Sequence, residues 1–156
     1  MDQQLETFIE RYPDAAMITL RRDGGAHMAR MEVAVVDGRL WGSGAPELVR
    51  TRNVRRDPRC SLFVFGPHPH WVGLETTVTI LDGNEVPHQL ARLMQVRHAD
   101  LAPAGTVLGH DDVLGHDRPY PVDEYVEHVR AARRLIYQFD VQRAYGNYRD
   151  RPASPG

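Results

Sequence analysis

Apolar residues recur with two different periods along this chain, and the periods predict which segments are strands and which are helices. Every second residue is apolar at Val72, Leu74, Val78 and Ile80, the period of a half-buried strand. A helical period runs through residues 86–98 instead. By the same reading, strands span residues 15–22, 27–36, 39–42, 60–65, 71–81 and 135–140 (continuing to 146), and helices span residues 2–12, 46–56, 86–98 and 122–134.

Turn signals separate most of the predicted strands. Asp23-Gly24-Gly25 and Asp37-Gly38 are typical of tight hairpins, because glycine reaches positive φ without steric cost. Hairpins join strands into an antiparallel sheet, and such sheets tend to close into a barrel that removes their edges. We therefore predict one mainly β domain with peripheral helices over residues 1–146, followed by a flexible tail over residues 147–156. Residues 99–121 are expected to form a long loop.

A basic segment lies between the third and fourth predicted strands. Five arginines occur within ten residues: Arg50, Arg52, Arg55, Arg56 and Arg59. A helix over residues 46–56 would have proline in its first turn and a stop at residues 57–58. Its backbone N–H groups, hydroxyls and guanidinium groups would suit a phosphate, although charged residues on a helix are more often only a solvated face.

Composition excludes several classes of function. The chain has 156 residues and a formal net charge of −2, which gives no general attraction to nucleic acid or anionic membrane. All 19 basic residues are arginine, so no lysine nucleophile exists. The single cysteine, Cys60, excludes an internal disulfide and is expected to be a buried structural thiol. The early residues are unlike a signal peptide and no apolar run reaches membrane-spanning length, so we expect a cytoplasmic protein.

Several of these segments resemble the flavin- and deazaflavin-binding split β-barrel family, the pyridoxamine-5′-phosphate oxidase-like superfamily. Residues 50–59 are close to the Lys-Thr-Arg-Asn-Leu-Arg-Arg-Asp-Pro-Arg signature of members that use coenzyme F420. Ala29-Arg30-Met31, residues 37–40, residues 71–83 and residues 136–146 are similar to the family's strands. The resemblance covers residues 15–83 and 135–146.

The resemblance implies a six-stranded antiparallel split β-barrel of the FMN-binding type, assembled as a homodimer with cofactors at the interface. Arg50 occupies the family's lysine position and would hold the cofactor phosphate, with hydroxyl donors from Thr51 and Ser43. Asn53 would fix the local backbone. The implied cofactor-binding residues are Arg30, Met31, Glu32, Ser43, Arg50, Thr51, Asn53 and Trp71. Two departures are Leu48, where many members carry a basic residue, and the acidic Glu32.

The resemblance also implies the chemistry. We expect an F420H2-dependent oxidoreductase that transfers hydride from a deazaflavin to an unsaturated or quinone-like small molecule. The alternatives are an FMN-dependent oxidoreductase of the same fold, a non-catalytic flavin or deazaflavin carrier, and a haem-binding protein that uses His68 or His70. No catalytic residue is predicted.

Two questions about the site stay open at the level of sequence. Four residues are candidates for the proton donor: Tyr120, Tyr125, His68 and His70. The loop over residues 99–121 holds histidine and aspartate, but their spacing matches no standard metal motif, so no metal site is predicted. A lid over the substrate is the preferred role for this loop.

Overall fold

In the computed structural model, which describes residues 1–149, most elements lie close to the segments that the sequence predicts. The helices are α1 Gln3–Arg11, α2 Val49–Arg56, α3 Val86–Arg97 and α4 Val122–Ala131. The strands are β1 Asp14–Leu20, β2 Ala26–Glu32, β3 Ala34–Val36, β4 Arg39–Gly44, β5 Arg59–Phe65, β6 Trp71–Leu81, β7 Thr106–Asp111, β8 His116–Pro121 and β9 Leu135–Asn147. The predicted mainly β class with peripheral helices is confirmed. None of these helices has the length and apolar character needed to cross a membrane.

The main sheet has seven antiparallel strands in the order β2-β1-β5-β6-β9-β4-β3. The six-strand prediction is wrong because the predicted strand over residues 27–36 divides at Val33. The N–H of Val33 donates to the carbonyl of Pro13, 2.9 Å away, and its side chain is fully buried. β2 and β3 therefore pair at opposite ends of the sheet although they are consecutive in the chain. The sheet curls into a half-barrel as a result.

The region predicted as a long loop, residues 99–121, contains a hairpin instead. β7 and β8 pair antiparallel from Thr106↔Pro121 to Asp111↔His116. The side chain of Asp111 accepts hydrogen bonds from the N–H groups of Val113 and Leu114 and so fixes the turn. The loop prediction fails because the polar and glycine-rich composition of this segment conceals its two buried positions, Val107 on β7 and Tyr120 on β8.

Two apolar clusters support the site. One fills the curled sheet and is capped by α1, whose Phe8 makes edge contacts with Tyr12 and Tyr148. The other packs α3, α4 and the β7–β8 hairpin against the outside of β4 and includes Trp41 and Leu93. The predicted domain boundary at residue 146 falls within β9, and Tyr148 beyond it is buried. The rest of the predicted tail, residues 150–156, lies outside the described residues.

Candidate functional site

Three of the five clustered arginines have hydrogen-bond or ion-pair partners within the protein. The side chains pair Arg55 with Asp82 at 3.5 Å, Arg56 with the Leu20 carbonyl at 2.5 Å, and Arg59 with Asp57 at 2.7 Å. The hydrogen bond from Arg59 lowers the pKa of Asp57 to about 2. These three arginines therefore have structural partners, as expected for a solvated helix face.

Arg50 differs from those three arginines. Its Nε atom is buried and has no hydrogen-bond partner among residues 1–149, and no carboxylate in that range pairs with it. Its guanidinium carbon lies 6.0 Å from the centre of the Tyr137 ring. A buried donor without an acceptor costs free energy, so this position favours an anion that would satisfy it. The residues present here fit a phosphate group.

Thr51 and Asn53 lie beneath Arg50 in the interior. The Thr51 hydroxyl donates to the Ala45 carbonyl at 2.6 Å and lies 2.5 Å from the Tyr137 hydroxyl. The Asn53 amide donates to the Thr19 hydroxyl at 3.0 Å. Both side chains are buried. The Asn53 contact joins α2 to a side chain of β1, and the Thr51 hydroxyl donates inside the protein rather than towards a ligand.

Ser43 lies on β4 and contacts a residue that sequence reasoning missed. Its hydroxyl accepts a hydrogen bond from Arg134, whose terminal nitrogen lies 3.2 Å away. The two residues are 91 positions apart, so no local pattern links them. Their contact depends on the pairing of β4 with β9, which sets Ser43 opposite Ile136.

Three consecutive predicted residues on β2 do not share a face. Arg30 is exposed and pairs with Asp14 at 3.0 Å. Met31 points into the core, where its terminal methyl group fills the space over Gly42. Glu32 forms an ion pair with Arg97. Because alternate residues of a strand point to opposite faces, Met31 cannot line the surface that Arg30 and Glu32 occupy.

Trp71 lies on the outer surface of the sheet among exposed aromatic rings. Its ring centre is 5.7 Å from that of Phe63 and 6.1 Å from that of Tyr145. Phe63 in turn stacks on Phe65 at 5.6 Å. All four side chains are at least 36% exposed, and we call them the aromatic face. Arg30 lies on the same outer surface of the sheet as Phe63 and Tyr145. The register of β2, β1, β5, β6 and β9 sets these three residues in one line across the strands.

A cavity of about 490 Å³ lies between α3, α4, β4 and the β7–β8 hairpin, and we call it the helical cavity. Its polar lining includes Ser43, Arg97, His98, Tyr125, His128 and Arg134. Burial raises the pKa of Tyr125 to about 12, while Arg134 and Arg97 act in the opposite direction. The Tyr125 phenol is therefore neutral at physiological pH. Burial also lowers the pKa of His98.

The four proton-donor candidates do not meet at one place. Tyr125 lines the helical cavity, whereas Tyr120 donates its hydroxyl hydrogen to the His110 carbonyl at 3.1 Å. His70 stacks on Tyr12 beside α1, with ring centres 6.2 Å apart. Of these candidates, Tyr125 is the one that shares a cavity with a predicted cofactor-binding residue, Ser43.

The remaining sequence candidates have structural roles. No group of three or more His, Cys, Asp or Glu side chains within residues 1–149 is arranged to hold a metal ion. His110 pairs with Asp117 across the hairpin at 3.1 Å. Cys60 is buried, as expected, and burial raises the pKa of its thiol to about 12.

Comparison with known proteins places these features in context. Residues 1–120 match the family described as pyridoxamine 5′-phosphate oxidase. No curated protein matches this chain.

Solved structures share the fold at low sequence identity. The conserved hypothetical protein Rv2991 from Mycobacterium tuberculosis is 20% identical with a TM-score of 0.68, over 100% of this chain and 93% of that one. A structure named F420 reductase is 17% identical with a TM-score of 0.61, over 90% of this chain and 94% of that one. A putative pyridoxamine 5′-phosphate oxidase from Listeria innocua is 11% identical with a TM-score of 0.61, over 92% and 94%.

Proposed function

The chain belongs to the pyridoxamine 5′-phosphate oxidase family, an oxidoreductase-like flavin-binding fold, and from this premise we propose that it is an F420H2-dependent oxidoreductase. Its substrate would be an unsaturated or quinone-like small molecule. The observation that carries the proposal is the buried Nε of Arg50, which has no partner among the described residues. Arginine forms charge-assisted hydrogen bonds with phosphate oxygens, and a phosphate is the group by which such cofactors are held.

Two features favour the deazaflavin F420 over FMN. Residues 50–59 resemble the signature of F420-using members, and one structural neighbour is named F420 reductase. FMN is the second candidate, because the family as a whole is a flavin-binding one. Haem is disfavoured, since the cavity beside His70 is about 110 Å³, well below the roughly 300–1,000 Å³ of typical cofactor sites.

The chain's own residues would bind and orient rather than react covalently. When bound, a reduced deazaflavin or flavin supplies hydride to an activated double bond. Arg50 would hold the phosphate, and the hydrogen bonds of Thr51 and Asn53 would keep α2 in place beneath it. Tyr125 is the proton donor that this arrangement favours, because it is the candidate that lines the same cavity as Ser43.

A homodimer is part of the proposal. The aromatic face leaves Phe63, Phe65, Trp71 and Tyr145 between 36% and 45% exposed on one side of the sheet. Contiguous exposed aromatic surface is typical of protein interfaces. A second copy of this chain would cover this face and bring Trp71 into a shared groove, as the resemblance implies.

Titration of the purified protein with F420, FMN and haemin, followed by fluorescence or absorbance, tests the proposal. We expect F420 to bind at micromolar concentration or tighter and more strongly than FMN. Reduction of quinone-like substrates by F420H2 would then be assayed. A preference for FMN would support the second candidate, and binding of none of the three would contradict both.

A further inference from the structure

We propose that the helical cavity is a binding site for a small organic carboxylate, with Arg134 and Tyr125 holding the carboxylate group. Arg50 does not line the cavity, whereas Tyr125 and Ser43 do, so the ligand would lie beside the proposed phosphate position rather than on it. The proposal concerns binding alone and does not depend on hydride transfer or on the identity of the cofactor.

The size and lining of the cavity suit a small molecule with an apolar body. Its volume of about 490 Å³ lies within the roughly 300–1,000 Å³ of typical ligand sites. Leu90, Met94, Leu108 and Val129 supply apolar wall. Polar and charged residues make up most of the remaining lining, so a ligand that fits needs a polar end as well as an apolar body.

Tyr125 offers a hydrogen-bond donor to this cavity. Its side chain is only 5% exposed, and its hydroxyl makes no hydrogen bond to any residue in the range 1–149. The ring has little freedom to turn away, because a Cβ added at Gly109 would lie 3.0 Å from it and the Tyr120 ring packs edge-on at 6.4 Å. A neutral phenol held beside two guanidinium groups is a suitable donor to a carboxylate oxygen.

Arg134 is the charged group of the cavity lining that suits an anion. Arg97 is neutralised by Glu32, and the acidic groups of the lining, Asp112 and Asp117, face His110 at 3.8 and 3.1 Å. Arg134 donates to the Ser43 hydroxyl and has no carboxylate partner within the described part of the chain. Asp112 and Asp117 are exposed to solvent on the hairpin, whereas Arg134 lacks a carboxylate partner among residues 1–149. Its planar guanidinium group matches the geometry of a carboxylate.

Isothermal titration calorimetry with uncharged and charged ligands of equal shape tests this inference. The probes are benzoate, 3-phenylpropionate and indole-3-acetate, each compared with its neutral amide, on the full-length protein without added cofactor. We expect at least one carboxylate to bind about tenfold or more tightly than its amide. Arg134→Gln should weaken that binding about tenfold or more, and Tyr125→Phe should weaken it severalfold.

Matched variants locate the site. Arg133→Gln removes a neighbouring arginine that does not line the cavity, and Arg50→Gln removes the proposed phosphate contact, so both should leave carboxylate affinity unchanged. Circular dichroism would check that each variant is folded. The inference would be overturned if no carboxylate bound, or if carboxylate and amide bound equally well. It would also be overturned if Arg50→Gln abolished carboxylate binding, or if Arg133→Gln and Arg134→Gln weakened that binding equally. Failure of F420 and FMN to bind would contradict the proposed function alone.

Discussion

The hydroxyl oxygens of Thr51 and Tyr137 lie 2.5 Å apart in the protein interior and join α2 to β9. Because Thr51 uses its own hydrogen to donate to the Ala45 carbonyl, the shared proton comes from Tyr137. Both side chains are fully buried. Arg50 is adjacent to Thr51 and lies over the Tyr137 ring, so this hydrogen bond helps to set the position of the proposed phosphate-binding arginine.

Replacing Thr51 with valine should destabilise the protein. The change leaves the Tyr137 hydroxyl buried without its partner, a cost of about 1–3 kcal/mol, while the Ala45 carbonyl keeps the hydrogen bond from the Leu48 N–H. Chemical denaturation would measure the free energy of unfolding. Thr51→Ser keeps the hydroxyl and is the matched control. Equal stability of the valine variant and the wild type would contradict the assigned hydrogen bonds of the Thr51 hydroxyl.

Gly44→Ala should disturb the same place from the opposite side. A Cβ at Gly44 would lie 2.4 Å from a carbon of the Tyr137 ring, and that ring is fully buried and cannot move freely. Overpacking of this kind typically costs about 1–3 kcal/mol. The shift in thermal midpoint would measure it. Gly83→Ala, where an added Cβ meets nothing within 4 Å, should have a much smaller effect.

Arg50→Ala should weaken cofactor binding by about 1.5–3 kcal/mol, the usual contribution of a hydrogen bond to a charged group. The dissociation constant of F420 or FMN, whichever binds, would be measured by titration. Arg52→Ala removes an exposed arginine from the same helix and should change the affinity little. Unchanged affinity in the Arg50 variant would contradict the assignment of Arg50 as the residue that holds the cofactor phosphate.

The β7–β8 hairpin should lose stabilisation in acid. Hydrogen bonds from Arg118 and from the backbone lower the pKa of Asp111 to about 2, below its ordinary value of 3.8. A lowered pKa in the folded state means that the carboxylate stabilises the protein above pH 3.8, and that this contribution is lost as pH falls towards 2. The difference in unfolding free energy between wild type and Asp111→Asn should therefore shrink from pH 5 to pH 2.

Denaturation curves across that range would provide the measurement. The exposed neighbour Asp112 offers a control, because Asp112→Asn removes a carboxylate without removing the ion pair with Arg118. A difference between wild type and Asp111→Asn that is independent of pH would contradict the role assigned to this carboxylate.

Phe63→Arg should dissociate the proposed homodimer. The substitution puts a charge into the aromatic face, where burial against a second copy would be costly. Light scattering would give the molecular mass. Val113→Arg alters a side chain that is 94% exposed at the tip of the hairpin, and it should leave the mass unchanged. A wild-type monomer at all concentrations would exclude the shared groove.

Local patterns predicted most elements of this fold because strands and helices impose their periods on the sequence directly. The bounds of β6 are those of the alternation over residues 71–81. Arg50 could be singled out because its motif is contiguous. Arg134 and Tyr125 could not be assigned to the helical cavity, since the residues that surround them come from segments far apart in the chain.

The repeated sequence Val-Leu-Gly-His-Asp shows that the sequence of a segment does not by itself determine whether that segment is buried. Its first copy begins at Val107, which is fully buried in β7, while the second begins at Val113, which is 94% exposed at the hairpin tip. Identical residues have identical propensities, so nothing within either copy distinguishes them. The contacts of β7 with α3 and α4 bury Val107 of the first copy, and the turn that Asp111 stabilises exposes the second copy. The sequence alone determined the periods of the elements and the contiguous arginine motif, whereas tertiary packing decided which residues meet around the helical cavity.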